Sequence, residues 1–180
     1  MVRTFQLTKS LAKMTVIDNM LLGAAEQKGE SLRNALLPSR WQKQEKEILE
    51  KAEELLERFK LSHMRDEYAA TLSGGQRKLL EMARALMSEP KLILLDEPMA
   101  GVNPVLVESL LVHIENLRDE GVSVLFIEHD MDAIMGISDW IVVLAEGQVI
   151  AEGTPSDVSK NPAVIDAYLG SAIAEELKDV

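Results

Sequence analysis

The chain has 180 residues, enough for one domain with a real core and too few for two comfortable ones. Lys plus Arg number 19 against 30 Asp plus Glu, and 47% of residues are hydrophobic, the composition of a folded globular protein. The net charge of −11 argues against a chain whose main work is neutralising the phosphates of nucleic acid or an anionic lipid surface. There is no cysteine, which excludes disulfides, thiolate-ligated zinc and thiol nucleophiles. No apolar run approaches the ~18 residues of a membrane span. Arg3, Lys9 and Lys13 precede the first acid, Asp18, as in an organelle transit segment, but Gln6 has a better reading below.

In chain order, Lys28 to Arg40 is polar, holds Gly29 and Pro38, and reads as a loop or weak helical lead-in. From Trp41 to Leu61, Ile48, Ala52, Leu55, Leu56 and Phe59 recur at helical spacing opposite a charged face, which predicts an amphipathic surface helix. A second helix starts near Ser73, where Ser73 and Gln76 have the spacing of a capping box, and ends before Pro90. Leu92 to Leu95, closed by Asp96-Glu97-Pro98, reads as a strand buried on both faces. Asn103 as N-cap with Pro104 opens a third helix, whose Leu106, Leu110, Leu111, Ile114 and Leu117 face the core until Gly121. Val122 to Ile127 is the next expected buried strand. Ile141 to Ala145 and Gln148 to Glu152 flank Glu146-Gly147, a hairpin pattern. Thr154-Pro155 and Asn161-Pro162 each predict a short helix.

Strand, helix, strand is a βαβ unit with parallel strands, and ligands of such sheets bind beyond the carboxyl ends of the strands. Those ends carry Asp96-Glu97 and Glu128-His129. Leu72-Ser73-Gly74-Gly75-Gln76 places a hydroxyl and two glycines at a helix start, where backbone N–H groups hold anions. A plain capped helix explains Ser73 and Gln76 equally well; the glycines favour the anion, since close backbone approach needs them. Asp96 at a strand end suits Mg²⁺, and Glu97 suits the orientation or deprotonation of an attacking water, against the alternative of a solvated acidic turn. His129 suits a γ-phosphate contact or a water. A metal centre of Asp96, Glu97 and His129 is a competing reading. His63 lies in a polar stretch, and His113 is expected on the exposed side of the third helix.

In this order the motifs resemble the ATP-binding subunits of ABC transporters, along essentially the whole chain. Leu72 to Gln76 is similar to their signature motif, Leu92 to Glu97 to the Walker B strand, Ala100-Gly101-Val102-Asn103 to the D-loop and His129 to the switch histidine. Gln6 stands where that family has its Q-loop glutamine. The D-loop stretch with Pro104, and the ending from Gly153-Thr154-Pro155 through Asn161-Pro162 to Ala167-Tyr168-Leu169-Gly170, resemble importers of branched-chain amino acids and relatives carrying urea or amides. Asn103 replaces the aspartate usual in the wider family.

The resemblance implies an α/β, P-loop NTPase-like fold: a parallel sheet, a helical signature subdomain at about 14–87, a catalytic core at 88–153 and a helical tail at 154–180, with a C-terminal β-hairpin. It implies ATP and Mg²⁺ as cofactors. Asp96 and Gln6 would serve the metal, Glu97 would be the base, His129 would contact the γ-phosphate, and Ser73, Gly74, Gly75 and Gln76 would bind nucleotide held by a second ATP-binding subunit of a homo- or heterodimer. Transmembrane permease subunits, no nucleic acid, and a cytoplasmic place on the inner membrane face complete the expectation. The phosphate loop G-x-x-x-x-G-K-[ST] is absent from these residues, since no glycine is followed by lysine. The chain is therefore expected to be N-terminally truncated, beginning at or just before Gln6, and inactive alone. A non-catalytic fragment pairing with an intact subunit, or a metal-dependent hydrolase, are the alternatives.

Overall fold

The computed structural model describes residues 2–3, 11–25, 27, 29 and 41–167. They fall into two compact units, Met1–Glu128 and His129–Val180.

The first unit contains β1 (Val2–Arg3), α1 (Val16–Leu21), α2 (Gln42–Arg58), α3 (Gly74–Leu86), β2 (Leu92–Asp96), α4 (Pro104–Asp119) and β3 (Ser123–Ile127). Thr15 caps α1 by accepting from the Asp18 N–H at 3.2 Å. One turn on, the fully buried Asn19 satisfies its own amide by binding the Leu11 N–H at 3.0 Å and the Thr15 carbonyl at 2.8 Å. That network fixes the chain entering α1, which packs on α2 and α3. Their shared core is Val16, Met20, Ala52, Leu56, Leu79, Leu80 and Ala83, apolar side chains repeated at helical spacing. Lys51 on α2 closes the bundle by donating to the Met87 carbonyl beyond the end of α3 at 3.1 Å and pairing with Glu89 at 2.6 Å.

The strands form a parallel sheet of order β1-β2-β3, with Leu92 opposite Ser123 and Asp96 opposite Ile127. Ile93 and Leu95 are buried as expected of a central strand. β3 departs from the sequence reading. Its residues alternate, and Leu125 and Ile127 are 55% and 58% exposed. It ends the sheet, α4 packs against it, and among the described residues the face carrying Leu125 and Ile127 is left uncovered. α4 brings the second correction: His113 is buried, because it follows Leu110 and precedes Ile114 and Leu117 on the inward stripe.

The second unit holds α5 (Met131–Ile137), β4 (Ile141–Ala145), β5 (Gln148–Gly153), α6 (Pro155–Val158) and a helical stretch at 162–167. β4 and β5 pair antiparallel through Glu146 and Gly147, whose φ of 50° and 77° are those of the turn that matches strand twist. Ile141, Ala151, Val158 and Val164 form its core with Ile134 and Met135. Thr154 and Asp157 form the capping box that starts α6.

Candidate functional site

The site begins at the N-terminus of α3. Ser73 Oγ accepts from the Gln76 N–H at 3.2 Å, and Gln76 Oε1 returns the bond by accepting from the Ser73 N–H at 2.9 Å, the reciprocal box expected from their spacing. Arg77 donates to the Leu72 carbonyl, holding the chain as it enters the helix. Ser73 and Gly74 are exposed. The two glycines differ in why they lack a side chain. A Cβ on Gly74 would come no nearer than 3.9 Å to any atom, the Gly101 carbonyl, whereas on Gly75, which is buried, it would meet Leu106 Cδ1 at 2.5 Å and Val102 Cγ1 at 3.3 Å. Packing against α4 accounts for Gly75 by itself, whereas the space beside Gly74 is open.

Asp96 is the last residue of β2 and half-buried. Glu97 turns the chain out of the sheet with φ of 45°, a left-handed conformation that a non-glycine residue holds only under constraint. Its N–H donates to the Ile127 carbonyl at 2.9 Å, extending the pairing with β3. Its carbonyl accepts from the Ala100 N–H at 3.3 Å and from Lys78 Nζ of α3 at 2.6 Å. Beyond it the Met99 N–H donates to Glu128 Oε1 at 2.7 Å. Gly101 follows with φ of 70°, and Asn103 caps α4 by accepting from the Leu106 N–H at 2.9 Å. Asn103 thus does the capping that an aspartate does elsewhere, since the two residues are equivalent N-caps.

The structure therefore brings together Ser73, Gly74, Gly75 and Gln76 on one helix start and Asp96 with Glu97 on a strand end, joined through Lys78. His129 opens the second unit, exposed and next to Asp130, which caps α5 by accepting from the Ala133 N–H at 3.1 Å. Gln6 lies outside the described residues. Sequence reasoning passed over Lys78, and it placed Glu128 on the rim without a role. Only the fold shows their partners, which are backbone groups distant in sequence.

The donor set can be tested against the implied ligands. An anion fits at Ser73 and Gly74, where a helix N-terminus ends in an exposed glycine with space beside its Cα. A magnesium ion held mostly by phosphates and water asks for one or two carboxylates, and Asp96 at the strand end offers one. Among the described residues no group of three His, Asp or Glu side chains is placed to hold a metal ion.

The sequence profile described as ABC transporter matches residues 1–100, and that of the branched-chain amino acid ATP-binding cassette transporter matches residues 148–174. The probable branched-chain amino acid transport ATP-binding protein LivG of Archaeoglobus fulgidus is 49% identical over 174 residues, covering 97% of this chain and 67% of that protein. The chain belongs to the ABC transporter ATP-binding family. The high-affinity branched-chain amino acid transport ATP-binding protein LivG of Escherichia coli K12 is 41% identical over 174 residues, 95% of this chain and 68% of that protein. The ADP conformation of an ATP-binding cassette from an ABC transporter superposes with a TM-score of 0.74 at 43% identity, over 94% of this chain and 68% of that one. The α/β fold with its parallel sheet is thus that of ABC ATPase cassettes. Among the described residues, no helix of this ABC chain is long and apolar enough to cross a membrane.

Proposed function

We propose that the chain carries the signature and hydrolytic elements of the ATPase that energises import of branched-chain amino acids or related small amides. The observation that carries the reading is Glu97. It stands directly after Asp96 at the end of a central parallel strand, in a left-handed turn bound to the start of a serine-capped helix, in a chain of the ABC ATP-binding family. Support for the solute comes from the similarity to branched-chain amino acid transport ATP-binding proteins and from the profile match at residues 148–174.

Bound Mg-ATP would supply the phosphoanhydride and the divalent charge. Asp96 would hold the metal together with Gln6, and Glu97 would take a proton from the attacking water. His129 would contact the γ-phosphate. Ser73, Gly74, Gly75 and Gln76 would face nucleotide held by a second ATP-binding subunit, so that neither subunit has a complete site alone. The helical stretch at about 14–87 would dock on transmembrane permease subunits, which would place the chain on the cytoplasmic face of the membrane. The 180 residues hold no phosphate-loop lysine, so by themselves they should not hydrolyse ATP.

The test is Glu97→Gln in a complete cassette, made by joining these residues to the phosphate-loop segment of a relative. The substitution removes a base and leaves the phosphate contacts. Turnover should fall by ~10²-fold or more, with ATP affinity kept and nucleotide-bound dimers accumulating. Turnover within a few-fold of the parent would show that Glu97 is not the base.

A further inference from the structure

We infer that Lys78 and Glu128 are positioning residues that hold Glu97 in its working direction and tie the signature end of α3 to it. The inference rests on reading Glu97 as the base. Besides the bond from the Val102 N–H to the Met99 carbonyl at 3.1 Å, four bonds converge on the turn from Glu97 to Val102. β3 contributes the Ile127 carbonyl, at 2.9 Å from the Glu97 nitrogen. The residue after β3, Glu128, receives the Met99 N–H at 2.7 Å. The Ala100 N–H closes the turn on the Glu97 carbonyl at 3.3 Å, a long bond for an amide. Lys78 gives that same carbonyl its short contact, 2.6 Å, from a different element.

A left-handed glutamate relaxes toward ordinary backbone unless its peptide groups are pinned, and rotation about φ swings the carboxylate with the backbone. Lys78 pins the peptide oxygen of the one residue whose aim matters. Its ammonium is half-buried, and burial lowers its pKa, while Glu128, Glu81 and Glu97 act in the opposite direction. The cation therefore sits among acids, with its bond spent on a neutral carbonyl, an arrangement suited to fixing geometry. Lys78 lies five residues after Ser73 on the same helix, so a displacement of the capped end of α3 is passed directly to the Glu97 peptide.

The test compares Lys78→Met and Lys78→Arg. In the complete cassette, Lys78→Met should lower kcat about tenfold with KM for Mg-ATP within about twofold, and Lys78→Arg, which keeps a donor, should recover most of the loss. Hydrogen exchange at the Ala100 and Met99 amides should quicken in Lys78→Met, with protection of the middle of α3 unchanged. The deciding measurement is the double variant. Because Lys78 acts through the Glu97 carboxylate, Lys78→Met should cost nothing more in a Glu97→Gln background. An equal further loss there, or a kcat unchanged in the single variant, overturns the positioning role even while Glu97→Gln alone still upholds Glu97 as the base. Full activity of Glu97→Gln overturns both. Glu128→Gln, which keeps an acceptor for the Met99 N–H, should stay near parental turnover, and Glu128→Ala should fall with Lys78→Met; equal turnover of the two removes Glu128 from the role.

Discussion

Ser73, Gly74 and Gly75 are neighbours in sequence with three separate physical reasons for being what they are. Ser73 caps α3, so Ser73→Ala should cost about 1 kcal/mol of stability whatever else the residue does. Gly75 is packed under Leu106, so any larger side chain there disturbs the α3–α4 contact, and loss of function would not distinguish packing from ligand contact. Gly74 separates the two. It is exposed, has room for a side chain, and sits in a first helical turn that favours acidic residues, so Gly74→Glu should unfold in urea at the parental midpoint or slightly above it. If the helix start faces a nucleotide phosphate in a dimer, the same substitution in a complete cassette should abolish ATP-induced dimerisation, measured by light scattering, with ATP affinity of the monomer unchanged. A dimer that still forms would remove the phosphate from this end of α3. The capping box was legible in the sequence because both partners lie within one turn. Gly75 was not, because Leu106 reaches it only through the fold.

At the scale of elements, α2 meets α4 where Phe59 stacks on His113, ring centroids 4.3 Å apart and planes 30° from parallel. Both ring nitrogens of His113 are buried without a hydrogen-bond partner. Beside them Arg58 pairs with Glu120 at 2.9 Å, linking the ends of the same two helices. Burial first, then Arg58 and Lys60, hold the His113 imidazole below its ordinary pKa. The unfolded chain therefore takes up the proton more readily than the folded one. Stability from this residue is complete above about pH 6.5, the ordinary imidazole value, and is lost as the pH falls toward the depressed folded value. The urea midpoint should drop between about pH 7 and pH 5, and His113→Leu should flatten that slope. An unchanged slope would place the titration elsewhere. The helices at 42–58, 74–86 and 104–119, the Ser73 and Asn103 caps and the hairpin turn were readable from local spacing, whereas α1 with its Thr15 cap and α5 with its Asp130 cap were not read. The inward position of His113 was also there in the period from Leu110 to Leu117, but its polar character outweighed the spacing. β3 failed for another reason: an apolar run looks the same whether one face or both are covered, and only the sheet order decides.

For the whole molecule, exposed apolar surface and net charge pull in opposite directions. Leu125 and Ile127 in the first unit, and Leu144, Val149 and Trp140 in the second, are each between 55% and 65% exposed. Strand faces and edges of this kind pair with other chains. The charge of −11 opposes that pairing at long range, and salt screens it, with a Debye length of about 10 Å at 0.1 M. The 180-residue chain should therefore scatter light as small species at low ionic strength and self-associate as salt is added, the reverse of an association held by ion pairs. Calorimetry of the same samples should show weak Mg-ATP binding and no turnover if, as proposed, Asp96 and Glu97 act on a phosphate that a G-x-x-x-x-G-K-[ST] loop, a pattern not found in these 180 residues, must position. Joined to the phosphate-loop segment of a LivG relative, the chain should gain both solubility in salt and ATP turnover, if that segment covers the exposed strands and completes the site together. A salt-independent monomer that hydrolyses ATP without the added segment would show that the phosphates are held by residues other than those assigned here.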